Sequence, residues 1–236
     1  LQSLSDSYLG FTIIKPINGK DGEPIIGRTI LKTYDPNPPG AKRNFIKSDY
    51  TSSLFGIPLK ISSLPFQTKD MAVGACATLA CWTTLHQLSN IFDIHTSSSY
   101  ELTDTITNLS YVLPCRNFPS INGLTISQMK SYFISIGLET EFIDPKYIES
   151  NNYDSNRDDI IVDAIKAYQG IQLPIIAALI LNGNNKDENF QGARIEDFHA
   201  VVISGFRIEG NKWSEDNGFL VAEGSGPNRK YRFRNS

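Results

Sequence analysis

The stretch Gly74-Ala75-Cys76-Ala77-Thr78-Leu79-Ala80-Cys81-Trp82-Thr83-Thr84-Leu85-His86-Gln87-Leu88-Ser89-Asn90-Ile91-Phe92 decides how the chain is read. After the glycine, Leu79, Trp82, Leu85, Leu88 and Phe92 recur at the spacing of one helix face. Residues 75–92 therefore predict a helix, and Cys76 falls in its first turn. A main-chain N–H there has no intrahelical acceptor, and the positive end of the helix dipole stabilises a thiolate. One position can thus supply a nucleophile and part of an oxyanion hole. The competing reading is that Cys76 is a small core residue, a common fate of cysteine.

Upstream, the first 60 residues read as strands and turns. Residues 8–16 and 24–34 are apolar and β-branched, with turn chemistry at Asn18, Gly19, Asp21 and Gly22 and again over 35–40. No helix is predicted there. Downstream, Thr125 and Gln128 have the spacing of a capping box, followed by an apolar face of Met129, Tyr132, Phe133 and Ile136 and a stop at Gly137. Residues 138–143 alternate like a short strand, and 158–168 predict a third helix closed by Gly170. Four further strands are expected at 173–181, 199–208, 218–223 and 230–234, with a long polar loop over 182–197. Helices followed by a run of strands argue for an α+β fold rather than an alternating parallel sheet.

With 236 residues the chain holds one or two domains and can bury a full core. The change of texture near residue 60 divides it into a β-rich segment, 1–60, and a main domain, 61–236. Twenty-two basic against 25 acidic residues leave a net charge of -3 and no basic stripe, which argues against nucleic acid as a partner. The apolar run at 173–181 falls well short of the roughly 20 residues that a membrane-spanning helix needs, so a soluble protein with no membrane partner is expected. Three cysteines, Cys76, Cys81 and Cys115, are too few and odd in number for a disulfide framework, which points to a reducing, cytoplasmic setting. The chain begins with Leu1 rather than Met, as an excised domain or processed product would, and a removed signal sequence stays open.

The cysteines and the three histidines have no zinc spacing, and neither a phosphate-binding loop nor a dinucleotide fingerprint is present, so no metal and no cofactor is expected. Two residues offer Cys76 chemical support. His199 heads the apolar run His-Ala-Val-Val-Ile-Ser-Gly-Phe, where an imidazole is pinned at the edge of a sheet. Glu223 ends the run Phe219-Leu220-Val221-Ala222, and adjacent antiparallel strands would bring it beside His199 to fix the imidazole tautomer. The alternatives are a structural histidine and a carboxylate that merely solvates a strand end. Cys81, five residues into the helix, is turned away from Cys76 and has its N–H paired, so it and Trp82 read as packing. His86 and His95 read as surface or capping residues.

These features together resemble the papain-like cysteine peptidase fold, and within it the bacterial C39-like branch. The resemblance rests on Gly74-Ala75-Cys76-Ala77-Thr78 opening a long helix, Gly123-Leu124-Thr125 opening a second, the apolar strand at 174–181, His199-Ala200-Val201-Val202 and the segment 219–225. It spans about residues 64 to 233 in the expected order. It implies a helical part, with the nucleophile at the start of a central helix, packed on a C-terminal antiparallel sheet, with the β-rich N-terminal segment added. It further implies a thiol hydrolase cleaving a peptide or isopeptide bond through an acyl-enzyme. Cys76 is then the nucleophile, His199 the general base and acid, and Glu223 stands where the family carries Asn or Asp. Gln67 is the candidate for the oxyanion-hole amide, at a longer interval from the cysteine than papain-like enzymes use. Asp70 is nearer but has no N–H to donate. The expected partner is a peptide or protein substrate, with the N-terminal segment as a possible protein-binding surface rather than an inhibitory plug. A cysteine acyltransferase of the transglutaminase or phytochelatin-synthase type uses the same acyl-enzyme, and a catalytically inactive binding module would keep the same fold.

Overall fold

The computed structural model describes residues 2–18, 22, 24–67, 75–110, 123–143, 157–182, 196–209, 212–214, 221–223 and 230–232. Cys115, Asp70, Gly74 and positions 183–195 of the long polar loop lie outside them. Among the described residues the architecture is α+β, with five helices and small antiparallel sheets. One short helix opens the chain, α1 (Gln2–Ser7), where the sequence predicted none. The hairpin β1 (Gly10–Asn18) and β2 (Pro24–Leu31) follows, then β3 (Ala41–Phe45) and the hairpin β4 (Ser48–Leu54) and β5 (Ile57–Ser63). The β4–β5 turn has two central residues, Phe55 and Gly56, both at positive φ, as the tight hairpin turn that matches strand twist requires.

The central helix, α2 (Cys76–Phe92), is buried along most of its circumference: Ala77, Thr78, Ala80, Cys81, Trp82, Thr84, Leu85, Gln87 and Leu88 are all enclosed. A helix buried on several sides lies between layers. On one side it meets α3 (Ser99–Ser110) and α4 (Ile126–Ser135), whose Leu102, Ile106, Met129, Tyr132 and Phe133 share its core. On another it packs against β6 (Ile175–Asn182) and β7 (Glu196–Ile203), where Ala200 joins Ala77 and Ala80 in that core. The capping box at α4 is formed as its spacing predicts: Gln128 N donates to Thr125 Oγ1 at 3.2 Å, and Thr125 N donates to Gln128 Oε1 at 2.9 Å. The third predicted helix is α5 (Arg157–Gly170).

Two expected strands need correction. Residues 138–143 have no regular structure and, among the described residues, no ladder partner. The run expected as one strand over 199–208 is two: β7 ends at Ile203, and β8 (Gly205–Glu209) belongs to another sheet, between β3 and β9 (Lys212–Ser214). The corner at Ser204 depends on Gly205, where a Cβ would come within 2.6 Å of the Asn44 carbonyl oxygen. Among the described residues the last strands, β10 (Val221–Glu223) and β11 (Lys230–Arg232), pair with each other. Through β3 and β8 the N-terminal segment is stitched into the C-terminal strands.

Candidate active site

Cys76 is the first residue of α2 and is half-buried against the edge of the core. Ala75 stands at the N-cap with φ -91° and ψ 0° and offers no side-chain cap. The first intrahelical bond runs from Leu79 N to Ala75 O at 2.9 Å. The N–H groups of Cys76, Ala77 and Thr78 thus have no acceptor within the helix, as the oxyanion role requires.

Cys81 is fully enclosed, and burial pushes its thiol up to about 12. A thiol held protonated there cannot serve as nucleophile at neutral pH, in keeping with its reading as packing. His86 departs from the expected surface or capping role. It is half-buried between Trp82, whose ring centre is 4.7 Å away in an edge contact, and Tyr50 at 5.8 Å. Burial first, then the nearby Arg28 charge, lowers its imidazole to about 4, so it is neutral at pH 7. Ten residues of helix separate it from Cys76, roughly 15 Å along the axis. His95 is exposed, with Nε2 3.8 Å from Glu101 Oε2.

His199 lies on β7, which packs on α2, so thiol and imidazole belong to neighbouring elements. It is the fourth residue of the strand rather than its head. Cross-strand partners share a face and successive residues alternate. The pairs Ala178–Ala200 and Ile176–Val202 lie on the α2 side, while Leu179–His199 lies on the opposite one. Glu223 was expected on a strand next to His199, but among the described residues the two strands do not form a ladder with each other. The Glu223 backbone pairs with Lys230, and the ladder partner of β7 is β6. The Ser204 corner is the reason: the chain leaving β7 enters a different sheet, and the later hairpin assembles beside β9 instead.

Gln67 is half-buried and follows two anchors. Phe66 exchanges backbone bonds with Thr29, at 2.7 and 3.0 Å, and the Pro65 carbonyl accepts from Thr83 Oγ1 at 3.0 Å. Thr83 is seven residues into α2 from Cys76, about 10 Å along its axis. The chain from Gln67 back to Cys76 runs through positions 68–74, outside the described residues.

Sequence reasoning gave no weight to a buried polar cluster of Ser48, Gln87 and Gln169. Isolated polar residues within apolar patterns, such as Gln87 on α2, were its only trace. Among the described residues no group of three His, Cys, Asp or Glu side chains could hold a metal ion, and no helix is long and apolar enough to cross a membrane. Compared with protein-family models, curated proteins and solved structures, the chain finds no match.

Proposed function

We propose that the protein is a thiol hydrolase acting on a peptide or isopeptide bond, with Cys76 as its nucleophile. The observation that carries this reading is the half-buried thiol at the uncapped start of a central helix that packs on the strand bearing His199. In the reaction the Cys76 sulfur bonds to the carbonyl carbon, and its proton passes to the His199 imidazole, a step that requires the imidazole to reach round the edge of β7 from the face turned away from α2. The oxyanion is held by first-turn N–H groups of α2 and by the Gln67 amide. The C–N bond then breaks as the imidazolium protonates the leaving amine, and water, deprotonated by the imidazole, releases the acid. Glu223 orients the imidazole in this scheme. Release by an amine instead of water would make the enzyme an acyltransferase, a difference that product analysis with added amine reads directly. Free thiols at Cys76 and Cys81 suit a reducing, cytoplasmic setting.

A second reading, a papain-like binding module without turnover, is favoured by two observations: His199 shares the Leu179 face rather than the Ala200 face, and Glu223 pairs away from β7. One experiment separates the two. An electrophilic peptide library is reacted with the full chain, with Cys76→Ala and with His199→Gln. Labelling that needs both residues supports the hydrolase, and labelling indifferent to His199 supports the binding module.

A further inference from the structure

β3 ends at Phe45 and β4 opens at Ser48, and the short link between them grips two parts of the molecule. Ile46 N donates to Ser204 O at 2.8 Å, at the corner where β7 gives way to β8. Two residues on, the Ser48 hydroxyl lies 2.9 Å from the His86 carbonyl oxygen and 3.0 Å from Gln87 Oε1, both in α2. Ser48 and Gln87 are almost wholly buried. The Gln87 amide donates onward to Gln172 O at 3.1 Å, in the turn between α5 and β6. The fully buried Gln169 closes the arrangement: its side-chain amide donates to Ile203 O at the end of β7, and its main-chain carbonyl accepts from Asn44 Nδ2 of β3 at 3.1 Å. The helix that begins at Cys76 and the strand that carries His199 are therefore tied to one four-residue stretch.

We infer that residues 45–48 are a brace that sets how α2 lies against β7, and that Ser48 is a positioning residue for Cys76 and His199; the inference rests on the thiol-hydrolase reading. Leverage gives it force. Ser48 holds α2 at His86 and Gln87, about 15 Å along the axis from Cys76. A tilt of roughly 4° about that fulcrum moves the thiol by about 1 Å, and a misplacement of that size costs on the order of a hundredfold in rate. Buried hydrogen bonds suit the task, because losing one partner leaves the other unsatisfied and shifts the packing around it.

The test is a double-mutant cycle on the full chain. Ser48→Ala and Ser48→Thr are made with His199 intact and in His199→Gln, and the rate of Cys76 alkylation by iodoacetamide is followed against pH by peptide mass spectrometry. Ser48→Ala is expected to lower the rate at pH 6 about tenfold, Ser48→Thr to restore most of it, and Ser48→Ala to add nothing in His199→Gln. Thermal melts identify folded variants, and Gln87→Met gives the same readout if Ser48→Ala does not fold. A His199-dependent profile that the brace variants leave in place, or a loss equal in both backgrounds, overturns the brace alone. A profile already indifferent to His199→Gln in the unmodified protein removes the hydrolase reading and the brace's role with it.

Discussion

Leu179 and His199 stand opposite one another across the β6–β7 ladder, on the face turned away from the Ala178–Ala200 pair. Ala200 packs toward α2, so the meeting of imidazole and thiol is the most demanding requirement of the catalytic reading. With that pair formed, Cys76 alkylation at neutral pH drops about tenfold or more in His199→Gln, because the imidazole no longer assists the thiol. Equal rates in the two proteins assign Cys76 to packing.

The two thiols of α2 are expected to separate sharply. Cys81 is enclosed and pushed up to about 12, whereas Cys76 is half-buried. At pH 7.5 the folded protein labels Cys76 at least about a hundredfold faster than Cys81, and the difference collapses in denaturant. Fast native labelling of Cys81 would contradict the burial of that helix face.

His86 makes folding sensitive to mild acid. Its folded-state value of about 4 lies below the ordinary 6.5, so the unfolded chain binds the extra proton first. Stability is then level above about pH 6.5 and declines as pH falls toward 4, by roughly 1–2 kcal/mol once partial exposure is allowed for. His86→Phe, which keeps a ring against Trp82, flattens that part of the curve. Urea midpoints at pH 7.5, 5.5 and 4.5 measure it.

Gly205→Ala places a methyl group against the Asn44 carbonyl and strains the corner between β7 and β8. A loss of about 1–3 kcal/mol is expected, read as a lower denaturation midpoint. Gly56→Ala meets no neighbouring atom but has φ 84°, so its cost is conformational and close to 1 kcal/mol.

The legible parts of the sequence were those whose signal is local. Leu79, Trp82, Leu85 and Leu88 announced α2 within a few turns, and Thr125 with Gln128 announced the start of α4. The helix α3 was missed because Thr103, Thr105 and Thr107 dilute its helical character. Its signal was the reciprocal cap of Ser98 and Glu101, with Leu102 and Ile106 buried one turn apart. Cys76 was legible as a helix-start thiol because that depends only on its own helix. The partnership expected of His199 and Glu223 depends on which strands become neighbours, and the continuous apolar run around His199 conceals the Ser204 corner that redirects the chain. The setting of His86 was equally hidden, since the Tyr50 ring beside it and the Arg28 charge near it come from distant strands.

The ladder between β3 and β8 joins Phe45 to Gly205, about 160 positions later. A ribosome adding roughly 5–20 residues per second needs on the order of 8–30 s to cover that interval. Throughout it the early strand has emerged without its mate and presents open backbone groups to any other extended segment nearby. Loop closure over such a distance is also entropically slow. This sheet therefore cannot be completed until Gly205 has been made, and the nascent chain is most vulnerable to wrong pairing in the seconds before it.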